Sequence, residues 1–377
     1  DRMTTLKGMT WTHPRGFEPL AASADEWREK TGVEVKWEKP GLEELEDLTP
    51  VDIARDYDLI VIDHPHLGQI TADNCLAPLD VEGREEEREA IKKGSVGSAF
   101  EAFHYKAHQW AFPIDVDAQV MAYRPDRAPS LPDNWDELVK LAEDGHVLLP
   151  LRPPHNLLTL FTLAANAGTP CRNDGAGNLI DEEDGIAAYE RLVELARLVP
   201  EDNQAMDPVG VLEALSAPDT KASISPYVAG YALYARDGFR HHRLGFTNMP
   251  GLGERGPAGS VLGGTGIAVS AFSENRDAAI DYAYWIASGP VQATLYAGAG
   301  GQPGHADGWK SLEVNSAVNG FYRNIADTAA HAYMRPRHNG YIRFQREASD
   351  VLNEALRTDA PAIAVIGRLN KLFEDSF

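Results

Sequence analysis

Cysteine is scarce in this chain, long apolar runs are absent, and basic residues are outnumbered. Only Cys75 and Cys171 occur in 377 residues, with no Cys-x-x-Cys spacing. That excludes a thiolate zinc site and a thioredoxin-type redox pair. In an oxidising compartment the two could close one disulfide, and in a reducing one they would be two buried thiols; their spacing leaves both open. No run of about 18 apolar residues exists, so no membrane-spanning helix is expected. Lys and Arg number 35 against 57 Asp and Glu, a formal charge of −22. A surface this negative repels phosphate backbones and anionic lipid, so no nucleic-acid partner is expected. Gly-x-x-x-x-Gly-Lys-Ser/Thr, His-Glu-x-x-His and Gly-x-Ser-x-Gly are all missing, which removes the common routes to an NTPase, a zinc protease or an α/β-hydrolase.

What is present is the composition of a folded globule, 43% hydrophobic and 24% charged. The length suggests two or three domains. The chain opens at Asp1 without a signal-like segment, as a mature or trimmed chain would, so that start carries no argument for the cytosol.

Hydrophobic periodicity orders the first 65 residues as β-α-β-α-β. An apolar strand at Leu6–Trp11 precedes a turn at His13–Gly16. Phe17, Leu20, Ala24 and Trp27 then recur at helical spacing up to Gly32, a C′ glycine. Val33–Trp37 alternates, and Leu59–Ile62 is a continuous apolar run of a strand buried on both faces. The order predicts a mostly parallel sheet covered by helices. Gln109–Arg124 is too long for an ordinary strand and reads as one running from one domain into another. Beyond it, Asn134 and Glu137 predict a capped helix start. Strands are expected at Val147–Leu151, Ala222–Ser225 and Leu262–Ser270. Helices are expected at 156–168, 185–199, 275–288, 341–357 and 361–375, with a loop-dominated, Gly-rich stretch over 289–310.

Gly251-Leu252-Gly253-Glu254-Arg255-Gly256 matches the dinucleotide fingerprint in spelling only. Pro250 precedes it and Pro257 follows, so no helix N-terminus is expected to cradle a phosphate, and no cofactor is implied. His104 and His108 are four apart but run straight into a strand, so they are read as a turn and not as a metal pair. Asp115 and Asp117 share one strand face. They read first as acceptors for hydroxyl groups, alternatively as a hinge ion pair with an arginine, and least as the acid and base of a glycosidase. Trp11, Trp110, Tyr227, Trp285 and Tyr341 are candidate sugar-stacking rings; core packing is the plainer account of Trp27, Trp110 and Trp285.

Several loose motifs then fall in a telling order. They are Thr31-Gly32-Val33-Glu34-Val35, Asp58–Asp63, Leu76-Ala77-Pro78-Leu79-Asp80, and Ala111-Phe112-Pro113 leading into Ala122-Tyr123-Arg124. Trp135–Leu138 follows, and Gly266–Ser270 leads into Asn275–Ala279. Over nearly the whole chain this order resembles the family 1 extracellular solute-binding proteins of ABC importers, the group containing maltose-binding proteins. The resemblance implies an α/β, two-lobed periplasmic-binding-protein (type II) fold, each lobe a mixed sheet flanked by helices. The lobes would be 1–115 plus 267–305 and 116–266 plus 306–377, with hinge strands near 113–118, 262–267 and 334–337. It also implies a monomer, periplasmic or held as a membrane-anchored lipoprotein, that captures a small polar solute for permease subunits without transforming it.

Carried over by position, the resemblance points to Trp11, Thr12, His13, Pro14 and Arg15 after the first strand and to Asp63, His64 and His66 after the third. Asp117 would accept from sugar hydroxyls, Tyr227 would stack, and Gly263, Gly264 and Thr265 would offer backbone donors. Arg335, Arg337 and Tyr341 would lie in the last loop over the ligand. The chain departs from the maltose-binding pattern in its His64-Pro65-His66 and in Arg15, Arg335 and Arg337. That mixture suits a monosaccharide, a polyol or a sugar acid, and arginine forks would also suit a small organic anion. A metal held by His13, His64 or His66 is a rival expectation.

Overall fold

The computed structural model describes residues 3–45, 47–127 and 130–377. Ten strands occur among them: β1 (Thr5–Met9), β2 (Glu34–Glu38), β3 (Leu59–Ile62), β4 (Leu76–Ala77), β5 (His104–Tyr105), β6 (His108–Gln109), β7 (Ala111–Tyr123), β8 (Ile224–Ala229), β9 (Gly245–Thr247) and β10 (Leu262–Ser270). The chain packs into two compact units. The first is Asp1–Val116, Gly264–Asn315 and Arg337–Asn339; the second is Asp117–Gly263, Ser316–Pro336 and Gly340–Phe377.

In the first unit β1 pairs in parallel with β2 and with β3. The helix Pro14–Thr31 joins β1 to β2. It starts three residues before the first periodic apolar position, because Pro14 takes a first-turn place and the His13 ring accepts the Arg15 amide. Gly32, at φ 77°, ends it as expected. β10 enters antiparallel, Ile267 against Val61 and Val269 against Leu59, and β4 pairs on β10. The sheet is therefore mixed. One face rests on Leu6, Leu20, Trp27, Phe112, Tyr282 and Ile286, the other on Met9, Ile62, Leu67, Cys75 and Phe103.

In the second unit β8 and β9 both pair antiparallel with β7. The core joins the helices His155–Asn166, Glu182–Leu198, Tyr341–Ala355 and Ala362–Asp375 through Leu160, Leu192, Phe344 and Phe373. Asn134 caps Trp135–Glu143 by accepting the Glu137 amide, while the Glu137 carboxylate accepts the Asp133 amide. Val147–Leu151 is extended but not a strand. Only Val147 bridges Ile224, and Asn203 satisfies the backbone of Leu149 and Leu151 in place of a ladder. The stretch 289–310 is helical over Gly289–Val291, Gln292–Tyr296 and Ala306–Lys310, where a loop was expected. Burial of Val291, Tyr296 and Trp309 outweighs the glycine content.

The chain leaves the first unit between Val116 and Asp117, inside β7, and returns between Gly263 and Gly264, inside β10. The units differ from the expected lobes at Val116 and Gly264–Gly266, which fall in the first unit, and after residue 305. Ala306–Asn315 stays in the first unit because Trp309 Nε1 donates to the Pro303 carbonyl and Asn315 donates to the Trp309 carbonyl. Arg337–Asn339 returns to it as well. Cys75 and Cys171 are free thiols, each buried in the core of its own unit. No helix among the described residues is long and apolar enough to cross a membrane.

Gly264 has φ +109°, and a Cβ there would lie 2.0 Å from the Asp115 carbonyl oxygen. Gly264→Ala is therefore expected to destabilise by more than about 2 kcal/mol in urea unfolding. Gly298→Ala, in helical backbone with nothing within 4 Å of the added Cβ, is expected to shift stability by no more than about 1 kcal/mol.

Candidate functional site

The first-unit candidates sit on the segment that turns from β1 into the first helix. Thr10 closes the turn by donating to the Gly16 carbonyl. Trp11 stacks on His13, ring centroids 5.7 Å apart, and the Arg15 guanidinium lies 5.5 Å from the Trp11 ring. A Cβ on Gly16 would come within 2.0 Å of Trp11 Nε1, so this indole position requires the glycine. Thr12 is exposed. Burial, and secondly the Arg15 charge, lower the His13 pKa to about 4, so the ring is neutral at pH 7.

Arg15 is buried. Its Nε donates to both Asp115 oxygens, at 3.1 and 3.0 Å, and its Nη2 donates to Oδ1. Of the three readings of Asp115, the ion pair is the one the geometry shows. The fork expected to meet a ligand carboxylate is occupied by a strand residue. Both Asp115 oxygens act as acceptors, so it is not placed as half of a glycosidase acid–base pair.

After β3, Asp63 is partly exposed, His64 is buried with its ring edge-on to Phe103, and His66 is half-buried. His64 thus packs inward, whereas Asp63 and His66 retain accessible surface. Among the described residues no group of three or more His, Cys, Asp or Glu could hold a metal ion. His104 and His108 lie in the β5–β6 hairpin, with Lys106 and Ala107 at positive φ between them.

Arg337 also has structural partners. Its Nη1 donates to the carbonyls of Glu101 (3.1 Å), Ala102 (3.0 Å) and His104, and its guanidinium lies 5.4 Å from the Tyr105 ring centroid. Its own carbonyl accepts from Gly68 N at 2.8 Å. The side chain pins residues 337–339 to the first unit instead of hanging free over a ligand. Thr265 is partly exposed, yet its Oγ1 is buried without a hydrogen-bond partner, and so is Trp11 Nε1. An orphaned buried polar atom costs about 1–3 kcal/mol unless something satisfies it.

In the second unit, Asp117 is buried on β7, and a Cβ on Gly263 would lie 2.0 Å from its Oδ1. Gly263 is there to admit the carboxylate. Tyr227, expected as a stacking ring, lies within the core beside Leu192 and Leu138, and burial raises its pKa. The polar-looking Ser225-Pro226-Tyr227 belongs to a strand whose first five residues are all buried. Tyr341 is likewise buried; with Arg335 it donates to Gln345 Oε1, both at 3.0 Å. The fingerprint-like 251–256 segment is a loop held by Asn166, which donates to the Gly256 and Ala258 carbonyls and accepts the Leu252 amide. Sequence reasoning overlooked Gln119, whose amide bridges Thr159 and Thr162 just beyond Asp117; only a buried polar residue inside an apolar strand marked it.

Residues 22–307 match the family model described as "Bacterial extracellular solute-binding protein". Among solved structures, the chain is similar to the maltose-bound MalE3 of T. maritima (17% identity, 99% of this chain and 100% of that one, TM-score 0.82). It is also similar to an ABC transporter solute-binding protein of Agrobacterium radiobacter in complex with ribitol (20%, 99% and 99%, 0.80). A third, from Thermotoga lettingae, is bound with α-D-tagatose (17%, 99% and 99%, 0.81). No curated protein matches the chain. These likenesses show the type of fold expected from the sequence, that of the two-lobed solute-binding proteins.

Two results are expected. Asp115→Ala leaves the Arg15 charge buried without its partner and should cost about 3–5 kcal/mol, with the double change Arg15→Met, Asp115→Ala recovering part of that loss in urea unfolding. His13, His155 and His338 all have pKa values lowered to about 4, chiefly by burial. Between about pH 4 and 6.5 the unfolded chain therefore binds more protons at these three sites than the folded one. Stability is expected to fall as pH drops through that window, and His13→Gln should flatten the slope of melting temperature against pH.

Proposed function

The chain belongs to the bacterial extracellular solute-binding proteins, and from that premise we propose that it captures a sugar, a polyol or a sugar derivative for an ABC permease. The match of the family model over well over half of the chain carries this reading. The neighbours bound to maltose, ribitol and tagatose support the solute class. The protein acts as a monomer outside the cytoplasmic membrane, periplasmic or lipid-anchored, and releases its solute unchanged.

The proposed contacts of the first unit are Trp11, Thr12, His13, Asp63, His66 and Thr265; for the second unit, taken by itself, Asp117 and Gly263 are proposed. Trp11, held against His13 and Arg15, keeps part of its indole surface uncovered, an apolar face that suits a carbohydrate's C–H face. Neutral His13 neither attracts nor repels a charged solute. Asp63 and Asp117 accept from hydroxyls. With the Arg15 and Arg337 guanidiniums engaged within the protein, a neutral solute fits better than an organic anion. A solute that binds only the folded form stabilises it by mass action. Thermal shift with ribitol, tagatose and maltose, extended to other pentitols and hexoses, is expected to give a saturable rise for at least one. For that solute Trp11→Ala should weaken affinity at least about tenfold. A panel without any shift would remove the solute class, and full affinity in Trp11→Ala would remove the site.

A further inference from the structure

The first unit contains a cavity of about 430 Å³ that opens between β3, the helices Pro50–Asp56 and Leu67–Ala72, and the segment before them. Its lining is mostly aliphatic, and Leu45, Ile53, Val61 and Ile70 keep part of their surface uncovered, with Leu48 exposed at 38%. Among the described lining residues none is Phe, Tyr or Trp. Among the described lining residues the strongly polar side chains are Asp63, His66 and Gln69, beside the Cys75 thiol. All three come from the short run after β3, so the polar lining is confined to one edge. Two of them, Asp63 and His66, are proposed solute contacts.

We propose that this cavity is a second subsite that takes a neutral hydrocarbon group carried by the solute, so that the solute is an alkyl or aryl glycoside rather than a bare sugar. The inference rests on the sugar-binding reading above and extends its substrate class. Aliphatic walls without an aromatic face do not stack a sugar ring, whereas they gain by removing hydrocarbon from water. The volume lies within the range that holds a ring-sized group. Asp63 on the lining, with a chain charge of −22, opposes an anionic tail such as a fatty acid. The hydroxylated end of the solute would then meet Asp63 and His66 while the aglycone fills the space beneath Ile53 and Ile70.

The test is isothermal titration of the full chain with matched methyl and phenyl glycosides of glucose, galactose, mannose and xylose. For the sugar that binds, the phenyl member is expected to bind at least about tenfold more tightly than the methyl member. That ratio should fall to near one in Ile53→Trp, which fills the cavity, and in Leu48→Lys, which places an ammonium on its exposed rim. Equal affinities in the unaltered protein, or a preference that persists in both variants, would overturn the subsite and leave the sugar reading intact. If no glycoside binds, this proposal falls, while the sugar-or-polyol reading stands or falls with the thermal-shift panel above.

Discussion

The buried pair between Arg15 and Asp115 organises the first unit. One partner stands in the first turn of the opening helix, and the other stands on β7 one residue before the last that β7 contributes to this unit. Two desolvated charges are stable together only when the geometry is good, and here both carboxylate oxygens accept from one guanidinium fork. The pair ties the start of the first helix to β7. Around it, the Arg15 amide donates to His13, the Arg15 guanidinium lies over Trp11, and Gly264 packs its Cα against the Asp115 carbonyl. The candidate solute residues thus inherit their positions from an interaction that is not available to a solute.

The same logic applies to Arg337. A cation with three carbonyl acceptors and an aromatic neighbour holds a three-residue stretch in the first unit, although the chain on both sides belongs to the second. Arginines drawn to a site by their charge alone are thus, in this molecule, fasteners of the segments where the chain passes between units. Removing them from the list of ligand contacts shifts the solute toward a neutral, hydroxylated compound.

The architecture was legible where residues obey a simple period. Leu59–Ile62, the Gly32 helix end, the long apolar run 111–123 and the two last helices all follow from spacing and capping. Val147–Leu151 misled because an apolar run can be extended and buried while a side chain, Asn203, replaces the partner strand. The 289–310 helices misled because local glycine content was outweighed by tertiary burial of Tyr296 and Trp309. The site was less legible. Trp11 and Asp63 follow the ends of β1 and β3, and Thr265 lies inside β10; all three keep part of their surface uncovered. Tyr227 inside β8 and Tyr341 and Arg15 in the first turns of helices are buried instead, and nothing in their spacing distinguishes a buried tyrosine from a stacking one.

The central claim is that this protein holds a hydroxylated solute and returns it unaltered. Native mass spectrometry of the purified chain in a mixture of pentitols, hexoses and their glycosides tests it most directly. The account predicts one solute per chain, with the mass of the released molecule unchanged after prolonged incubation. A spectrum without any adduct, or release of a cleaved glycoside, would contradict it.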